Sequence, residues 1–121
     1  MAKILIVDDS PTETHILTKM LDNNGYQVVT AESGEAGVEV AKKELPDLVL
    51  MDVVMPGLNG FQATRQLKKE ATTAHIPVVI VTTKDQETDK IWGMRQGAKD
   101  YLTKPVQEES LINTIQAILG S

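Results

Sequence analysis

The stretch LVLMDVVMPGLNG, residues 48–60, decides the fold, because its apolar run ends abruptly in the aspartate Asp52. Residues 48–51 show no polar alternation, which is typical of a strand buried on both faces of a parallel sheet. A Pro-Gly turn follows at 56–57, and a helical pattern begins at Asn59. A carboxylate at the end of a buried strand is costly unless other groups pair with it. Partners for Asp52 are therefore expected elsewhere in the chain.

The same order of apolar run and helical pattern recurs along the whole chain. Strands are predicted over 3–7, 27–31, 47–51, 76–82 and 100–103. The first predicted helix runs from the N-cap Ser10 to a closing Gly25, and the others cover 33–44, 59–70, 86–97 and 108–119. Five strand–helix repeats with short turns predict an α/β fold with a mostly parallel sheet and right-handed crossovers. The order of the strands does not follow from this pattern.

Apolar periodicity identifies the helix faces that are expected to pack on the sheet. The inward positions are Ile16, Leu17, Met20 and Leu21 in the first helix and Ala36, Gly37, Val40 and Ala41 in the second. The fourth helix has a weaker pattern, with Gly93 in its interior. Its Trp92 and Met94 fit either core contacts or an exposed anchor for a partner.

Composition and charge exclude several classes of protein. A chain of 121 residues with 41% apolar and 24% charged residues is expected to form a single globular domain. The formal charge of −5, with scattered lysines, argues against a nucleic-acid surface. The absence of cysteine excludes disulfides and thiolate metal sites. The N-terminal apolar run, 4–7, is too short for a signal peptide or a membrane span, so a cytoplasmic protein without membrane contact is expected.

Polar residues that carry chemistry follow four of the five predicted strands. Asp8 and Asp9 end the first strand, Asp52 the third, Thr82 the fourth and Lys104 the fifth. In an open parallel sheet, ligands bind beyond the carboxyl ends of the strands. These side chains are therefore expected to meet at one edge of the sheet, where Asp52 finds its partners.

The chemistry of this set is that of phosphoryl transfer to a carboxylate. Clustered carboxylates repel one another, and a divalent cation relieves the repulsion. Mg²⁺ prefers oxygen ligands and retains several waters. A lysine and a threonine hydroxyl can contact phosphoryl oxygens, and aspartate is a nucleophile that forms aspartyl phosphates. The sequence therefore predicts a magnesium-dependent phosphoacceptor site.

At these residues the chain resembles the CheY-like receiver domains of two-component response regulators. The resemblance rests on ILIVDDS (4–10), DLVLMDVVMPGLNG (47–60), VVIVTT (78–83) and GAKDYLTKP (97–105) and covers essentially the full length. The stretches DVVMPGLNGFQATRQL and GMRQGAKDYLTKPV are most similar to receivers of type IV pilus (twitching motility) chemotaxis systems. The resemblance implies a flavodoxin-like, doubly wound sheet of five parallel strands in the order 2-1-3-4-5, with five helices.

The resemblance also implies the roles of the site residues. Asp52 would receive a phosphoryl group from the phosphohistidine of a CheA-like histidine kinase. Asp9 and Asp52 would bind Mg²⁺ directly, together with the backbone carbonyl of Val54, while Asp8 would act mainly through water. Lys104 would contact the phosphoryl group.

Thr82 would contact the phosphoryl group as well and would form a switch pair with Tyr101. Movement of this pair would reshape the surface of the fourth helix, fifth strand and fifth helix, where an effector protein would bind. The chain departs from the family pattern at Val54, at Lys84 and at Gln96. Because of these departures, the resemblance does not fix the kinetics or the choice of partner, while the chemistry of the site is expected to be the same.

Several functions compete at this stage. The first is a stand-alone, non-enzymatic receiver, with residues 1–121 as one domain, no output domain and a monomeric state; its output could be pilus motility, flagellar switching or service as a phosphate sink. The second is a phosphatase that works through an aspartyl phosphate, but that class needs an acid two positions after the nucleophile, where Val54 stands. The third is a nucleotide-binding module, for which the glycine-rich phosphate loops are missing from the sequence.

Overall fold

A five-stranded parallel sheet forms the centre of the structure, a computed structural model that describes residues 2–120. The elements in chain order are β1 (Lys3–Val7), α1 (Pro11–Asp22), β2 (Gln27–Ala31), α2 (Gly34–Glu44), β3 (Leu48–Met51), α3 (Gly60–Lys69), β4 (Val78–Thr82), α4 (Glu87–Arg95), β5 (Asp100–Thr103) and α5 (Glu108–Leu119). The strand order is β2-β1-β3-β4-β5, and each neighbouring pair is parallel. The predicted fold class and strand order are confirmed.

The three central strands are buried on both faces. Alternate residues of β1 and β3 enter two different cores, because successive side chains of a strand point to opposite faces. One core packs Leu5 and Val49 against α2 and α3, and the other packs Ile4 and Leu50 against α1 and α5. Fully burying such an aliphatic side chain stabilises the fold by roughly 1.5–3 kcal/mol. This two-sided burial explains why the strand sequences lack polar alternation.

The junction between β3 and α3 is held unusually close. The amide of Asp52 donates to the carbonyl of Val7 in β1 at 2.9 Å, and the amide of Gly60 donates to the carbonyl of Val53 at 3.1 Å. A Cβ atom at Gly60 would overlap the carbonyl oxygen of Asp52, so only glycine allows this approach. The first residue of α3 therefore lies against the residue that ends β3.

Some sequence-based details differ from the structure. Ile16, predicted to face inward, is 41% exposed, whereas Val38 is buried although it was not predicted to be. The helix α1 ends at Asp22, and Gly25 lies in the following turn with φ of +82°. The predicted ends of β3, β4, α3 and α4 each extend one or two residues beyond the observed ends. Short apolar stripes leave the rotational phase of a helix open by about one position, which accounts for Ile16 and Val38.

The fourth helix contacts the sheet through a glycine. Gly93 is the buried residue of α4, and a Cβ there would lie 3.1 Å from the ring of Tyr101. Ile91, Trp92 and Met94 are 46–48% exposed. Trp92 and Met94 are therefore exposed and not core residues, and their role as an anchor for a partner stays a prediction. Over residues 2–120, none of the helices is both long enough and apolar enough to span a bilayer.

Candidate phosphoacceptor site

The carboxyl ends of the strands bring the predicted site residues together. Asp8 follows β1, Asp52 follows β3, Thr82 ends β4 and Lys104 follows β5. Because the chain continues from β1 to one side of the sheet and from β3 to the other, the crevice between these two strands is the topological switch point. The predicted meeting of these side chains at one edge is observed.

Lys104 is the cation at the centre of the site. Its Nζ lies 2.7 Å from Oδ2 of Asp8 and 3.6 Å from both Oδ2 of Asp52 and Oε1 of Glu13. The Lys104 side chain is only 9% exposed. Its backbone amide donates to the carbonyl of Thr82 at 2.8 Å, and its peptide bond to Pro105 is cis. The ammonium is thus held where it can reach two buried carboxylates.

Burial and charge oppose each other at Asp52 and Lys104. Burial raises the pKa of Asp52, and the charge of Asp8 adds to this, while Lys104 counteracts part of it. Burial alone would lower the pKa of Lys104, but its hydrogen bond to Asp8 and the charges of Asp52, Asp8 and Glu13 outweigh burial and raise it. The lysine is firmly protonated, and the site retains an excess of negative charge.

Three carboxylates fit a hard divalent cation. One oxygen each from Asp8, Asp9 and Asp52 lie within 4.8 Å of one another. Asp8 and Asp52 are buried, and Asp9 is exposed. Oxygen donors with net negative charge at an accessible edge suit Mg²⁺, which keeps part of its water shell.

Both oxygens of Asp8 already have partners in the protein. Oδ1 accepts a hydrogen bond from the amide of Ser10 at 2.9 Å, and Oδ2 accepts from Lys104. Oδ1 of Asp52 accepts from the amide of Val53 at 2.8 Å, and Oδ2 makes the longer contact with Lys104. Asp9 and Asp52 therefore offer oxygens to a cation more readily than Asp8 does.

A side chain of α2 binds the loop that follows β3. Oε2 of Glu35 accepts a hydrogen bond from the amide of Leu58 at 3.2 Å. A side chain at Gly34 would overlap the carbonyl of Leu58, and Gly57 adopts a positive φ of 73°. The loop between Asp52 and Gly60 includes Val54, whose side chain is 53% exposed. Glu35 was not predicted as a site residue, because an acid in the first turn of a helix is common.

Thr82 and Tyr101 are connected through the backbone of Lys84. The hydroxyl of Thr82 is fully buried and accepts from the amide of Lys84 at 3.5 Å, while the hydroxyl of Tyr101 donates to the carbonyl of Lys84 at 2.7 Å. Burial raises the pKa of Tyr101 to about 12, and the charges of Asp89, Asp52 and Asp85 contribute, so this hydroxyl keeps its proton. The two residues of the predicted switch pair thus share one backbone segment.

Glu13 was not predicted as a site residue, but it contacts Lys104 from the first turn of α1. An acid in the first turn of a helix is common, so the residue type alone did not mark Glu13 as part of the site. His15 and His75 are exposed, and His15 lines a cavity beside α1 together with Asp8 and Asp9.

The chain belongs to the response regulator receiver domain family, whose sequence pattern it matches over residues 4–116. Receiver domains interact with histidine kinases and bind Mg²⁺ in an acidic pocket.

Individual relatives agree with this assignment. Protein PilH of Pseudomonas aeruginosa is 70% identical over 120 residues, which cover 99% of each chain. Response regulator PleD of Caulobacter vibrioides is 41% identical over 97% of this chain, which spans only 26% of that protein.

Solved structures show the same fold. Chemotaxis protein CheY4 of Vibrio cholerae is 33% identical, with a TM-score of 0.92, over 98% of this chain and 99% of that one. The receiver domain of a Pseudomonas aeruginosa sensor histidine kinase is 30% identical, with a TM-score of 0.92, over 99% and 98% of the two chains. That structure holds a magnesium ion in its active-site cleft.

The raised pKa of Asp52 generates a stability prediction for the metal-free protein. The pKa of Asp52 is higher in the folded chain than in the unfolded chain. The free energy of unfolding therefore decreases as the pH rises through the pKa of the folded state. We expect Asp52→Asn to increase the free energy of unfolding at pH 7, measured by urea titration in EDTA. The advantage should shrink as the pH falls and Asp52 becomes protonated in the folded protein.

Asp22→Asn is the matched control, because it removes one negative charge from an exposed position at the other end of α1. It should change the free energy of unfolding by less than about 0.5 kcal/mol. A variant at position 52 that is less stable than wild type at pH 7 would contradict the prediction.

Proposed function

We propose that the chain is a stand-alone receiver that accepts a phosphoryl group on Asp52 from a CheA-like histidine kinase and signals through phosphorylation-dependent protein binding. The carrying observation is the position of Asp52, with Lys104 at 3.6 Å on one side and the carboxylates of Asp8 and Asp9 nearby. Asp8 has similar neighbours, but both of its oxygens already accept hydrogen bonds, from Ser10 and from Lys104. As a receiver it would assist only its own phosphorylation and dephosphorylation.

The proposed transfer is a single displacement at phosphorus. A carboxylate oxygen of Asp52 forms a bond to phosphorus while the bond from phosphorus to the donor histidine nitrogen breaks, and that nitrogen keeps the electron pair. Lys104 and the hydroxyl of Thr82 would donate hydrogen bonds to phosphoryl oxygens. Most of the protein's contribution to such a transfer is positioning and neutralisation of charge.

Magnesium would complete the site. Asp9, Asp52 and the backbone carbonyl of Val54 would hold it, with Asp8 acting through water. When bound, it supplies positive charge that offsets the carboxylates and the phosphoryl oxygens.

The similarity to PilH supports a role in a chemotaxis-like pathway of pilus motility. It extends over 99% of both chains, so it includes the surface as well as the pocket. Service as a phosphate sink and flagellar-type regulation are the alternatives within the receiver class. An aspartyl-phosphate phosphatase is disfavoured, because exposed Val54 stands where that class has its second acid.

The effector surface is proposed to comprise α4, β5 and α5. The exposed trio Ile91, Trp92 and Met94 gives α4 an apolar outer face of the composition that interfaces favour. The output would come from a separate protein bound there, and the chain would act as a monomer.

Direct phosphorylation tests the proposal. Incubation with Mg²⁺ and acetyl phosphate, followed by mass spectrometry with peptide mapping, should show one phosphoryl group on Asp52. Asp52→Asn should abolish it, and Asp22→Asn should leave it unchanged. Equal labelling of the Asp52→Asn protein, or labelling of wild type at another residue, would overturn the proposal.

The switch proposal predicts a response far from the pocket. Beryllofluoride with Mg²⁺ mimics the phosphoryl group, and it should draw the Thr82 hydroxyl inward and change the surroundings of Tyr101. Amide shifts measured by NMR should therefore change in α4, β5 and α5 as well as in the pocket. The Asp52→Asn protein is the control, and shift changes confined to the pocket loops of wild type would exclude the switch.

The last prediction concerns the lifetime of the aspartyl phosphate. Hydrolysis needs a water in line with the bond from Asp52 to phosphorus, and the exposed side chains of Val54 and Lys84 are proposed to flank its approach. Val54 offers no hydrogen-bond acceptor or donor, and Lys84 offers no acceptor. We therefore expect slow autodephosphorylation.

Val54→Asn combined with Lys84→Glu should accelerate hydrolysis about tenfold, which requires about 1.4 kcal/mol of barrier reduction. Phosphate release at saturating Mg²⁺ from wild type and the double variant measures this. Wild-type release as fast as that of the variant would contradict it. Slow loss would also disfavour the phosphate-sink alternative.

A further inference from the structure

Glu13 gives Lys104 a partner that the transfer chemistry does not use. Its Oε1 lies 3.6 Å from Lys104 Nζ, the same distance as Oδ2 of Asp52. The Glu13 side chain is 37% exposed, so it reaches the site from the solvent side of α1. The ammonium therefore lies among three carboxylates, of which only Asp8 is at hydrogen-bond distance.

We propose that Glu13 is a positioning residue that competes with the phosphoryl group for the ammonium of Lys104. The proposal rests on the proposed function, since it presupposes phosphoryl transfer to Asp52.

The start of α1 fixes Glu13 relative to the site. Ser10 is the N-cap, and its Oγ accepts from the amide of Glu13 at 3.3 Å. The amide of Ser10 in turn donates to Oδ1 of Asp8. Glu13 is thus joined through Ser10 to the residue that binds Lys104 most closely. An acid in a first helical turn is favoured by the helix dipole, but that preference does not require contact with Lys104.

The charge of Glu13 has opposite consequences for the two ligands of the site. An ammonium has three donors and no acceptor, so a carboxylate beside it and a phosphoryl group on Asp52 compete for the same N–H groups. The negative charge of Glu13 also opposes the approach of an anionic phosphodonor. The negative charge of Glu13 favours the binding of a cation. It also attracts Lys104 away from Oδ2 of Asp8, to which the ammonium donates a hydrogen bond.

Glu13→Gln separates these effects, because it removes the charge and preserves the size of the side chain. The Mg²⁺ dissociation constant, measured by NMR titration without phosphodonor, should rise roughly threefold. The initial rate of phosphorylation by acetyl phosphate at saturating Mg²⁺, measured by mass spectrometry, should also rise roughly threefold. Each change corresponds to about 0.6 kcal/mol. Both should diminish at high salt, because Glu13 is partly exposed to solvent.

Two further variants complete the test. Glu13→Asp keeps the charge on a shorter side chain and should give values between those of wild type and Glu13→Gln. Asp22→Asn removes the same charge nine residues further along α1, about 13 Å away, and should change neither quantity.

The pattern of signs decides the outcome. A merely structural role would make the Glu13→Gln protein bind Mg²⁺ more weakly and react more slowly, which would overturn the proposal. Unchanged values, or the same changes in the Asp22→Asn protein, would overturn it too. In each of these cases wild type still gains its phosphoryl group, so the proposed function stands. Absence of any phosphoryl group on wild-type Asp52 would overturn the proposed function and this proposal together.

Discussion

The ion pair between Lys104 and the buried carboxylate of Asp8 is the interaction on which the site depends. A buried carboxylate without a partner destabilises a fold strongly, and two of them side by side repel each other as well. Lys104, which follows the outer strand β5, offsets part of this cost with its Nζ 2.7 Å from Asp8. It leaves Asp52 incompletely compensated, which is the condition under which a carboxylate gains most from binding a cation. The fold thus loses some stability at the residue that is proposed to accept the phosphoryl group.

The parallel sheet makes this arrangement available at little structural cost. Strands that run in the same direction end at the same edge, so residues far apart in sequence meet without any special loop. What must be specified locally is the course of the chain after β3. Gly60 allows α3 to start against Asp52, and Glu35 secures the intervening loop at Leu58. Substitutions at these two positions are expected to alter the site, although Gly60 has no side chain and the Glu35 carboxylate contacts the loop at Leu58.

The strands, the helices and the convergence of Asp8, Asp52 and Lys104 could be predicted from the sequence. These features follow from uninterrupted apolar runs and from the geometry common to all parallel sheets. The strand order came from resemblance alone, because a fully apolar strand carries no information about which neighbour it pairs with. The exposure of Ile16 and the burial of Val38 depend on the rotational phase of each helix, which short stripes define poorly.

Glu13 and Glu35 could not be found for a different reason. Both are acids in the first turn of a helix, and such residues are common wherever helices begin. Their contacts are made by the ends of long side chains with several rotatable bonds, to groups distant in sequence. A pattern of residue types predicts that these acids lie in the first turn of a helix. It does not predict the direction in which each carboxylate points.

The glycine contact beneath α4 has a mechanical consequence. Moving a helix away from a core normally opens a void wherever a side chain leaves its socket, and the surrounding atoms lose their dispersion contacts. Gly93 has no side chain that packs into the core. A tilt of α4 over the ring of Tyr101 would therefore leave no side-chain cavity at that contact. The helix also carries Ile91, Trp92 and Met94 on its exposed faces. The glycine contact that would allow α4 to tilt and the exposed apolar residues that would move with the helix therefore belong to the same nine-residue element.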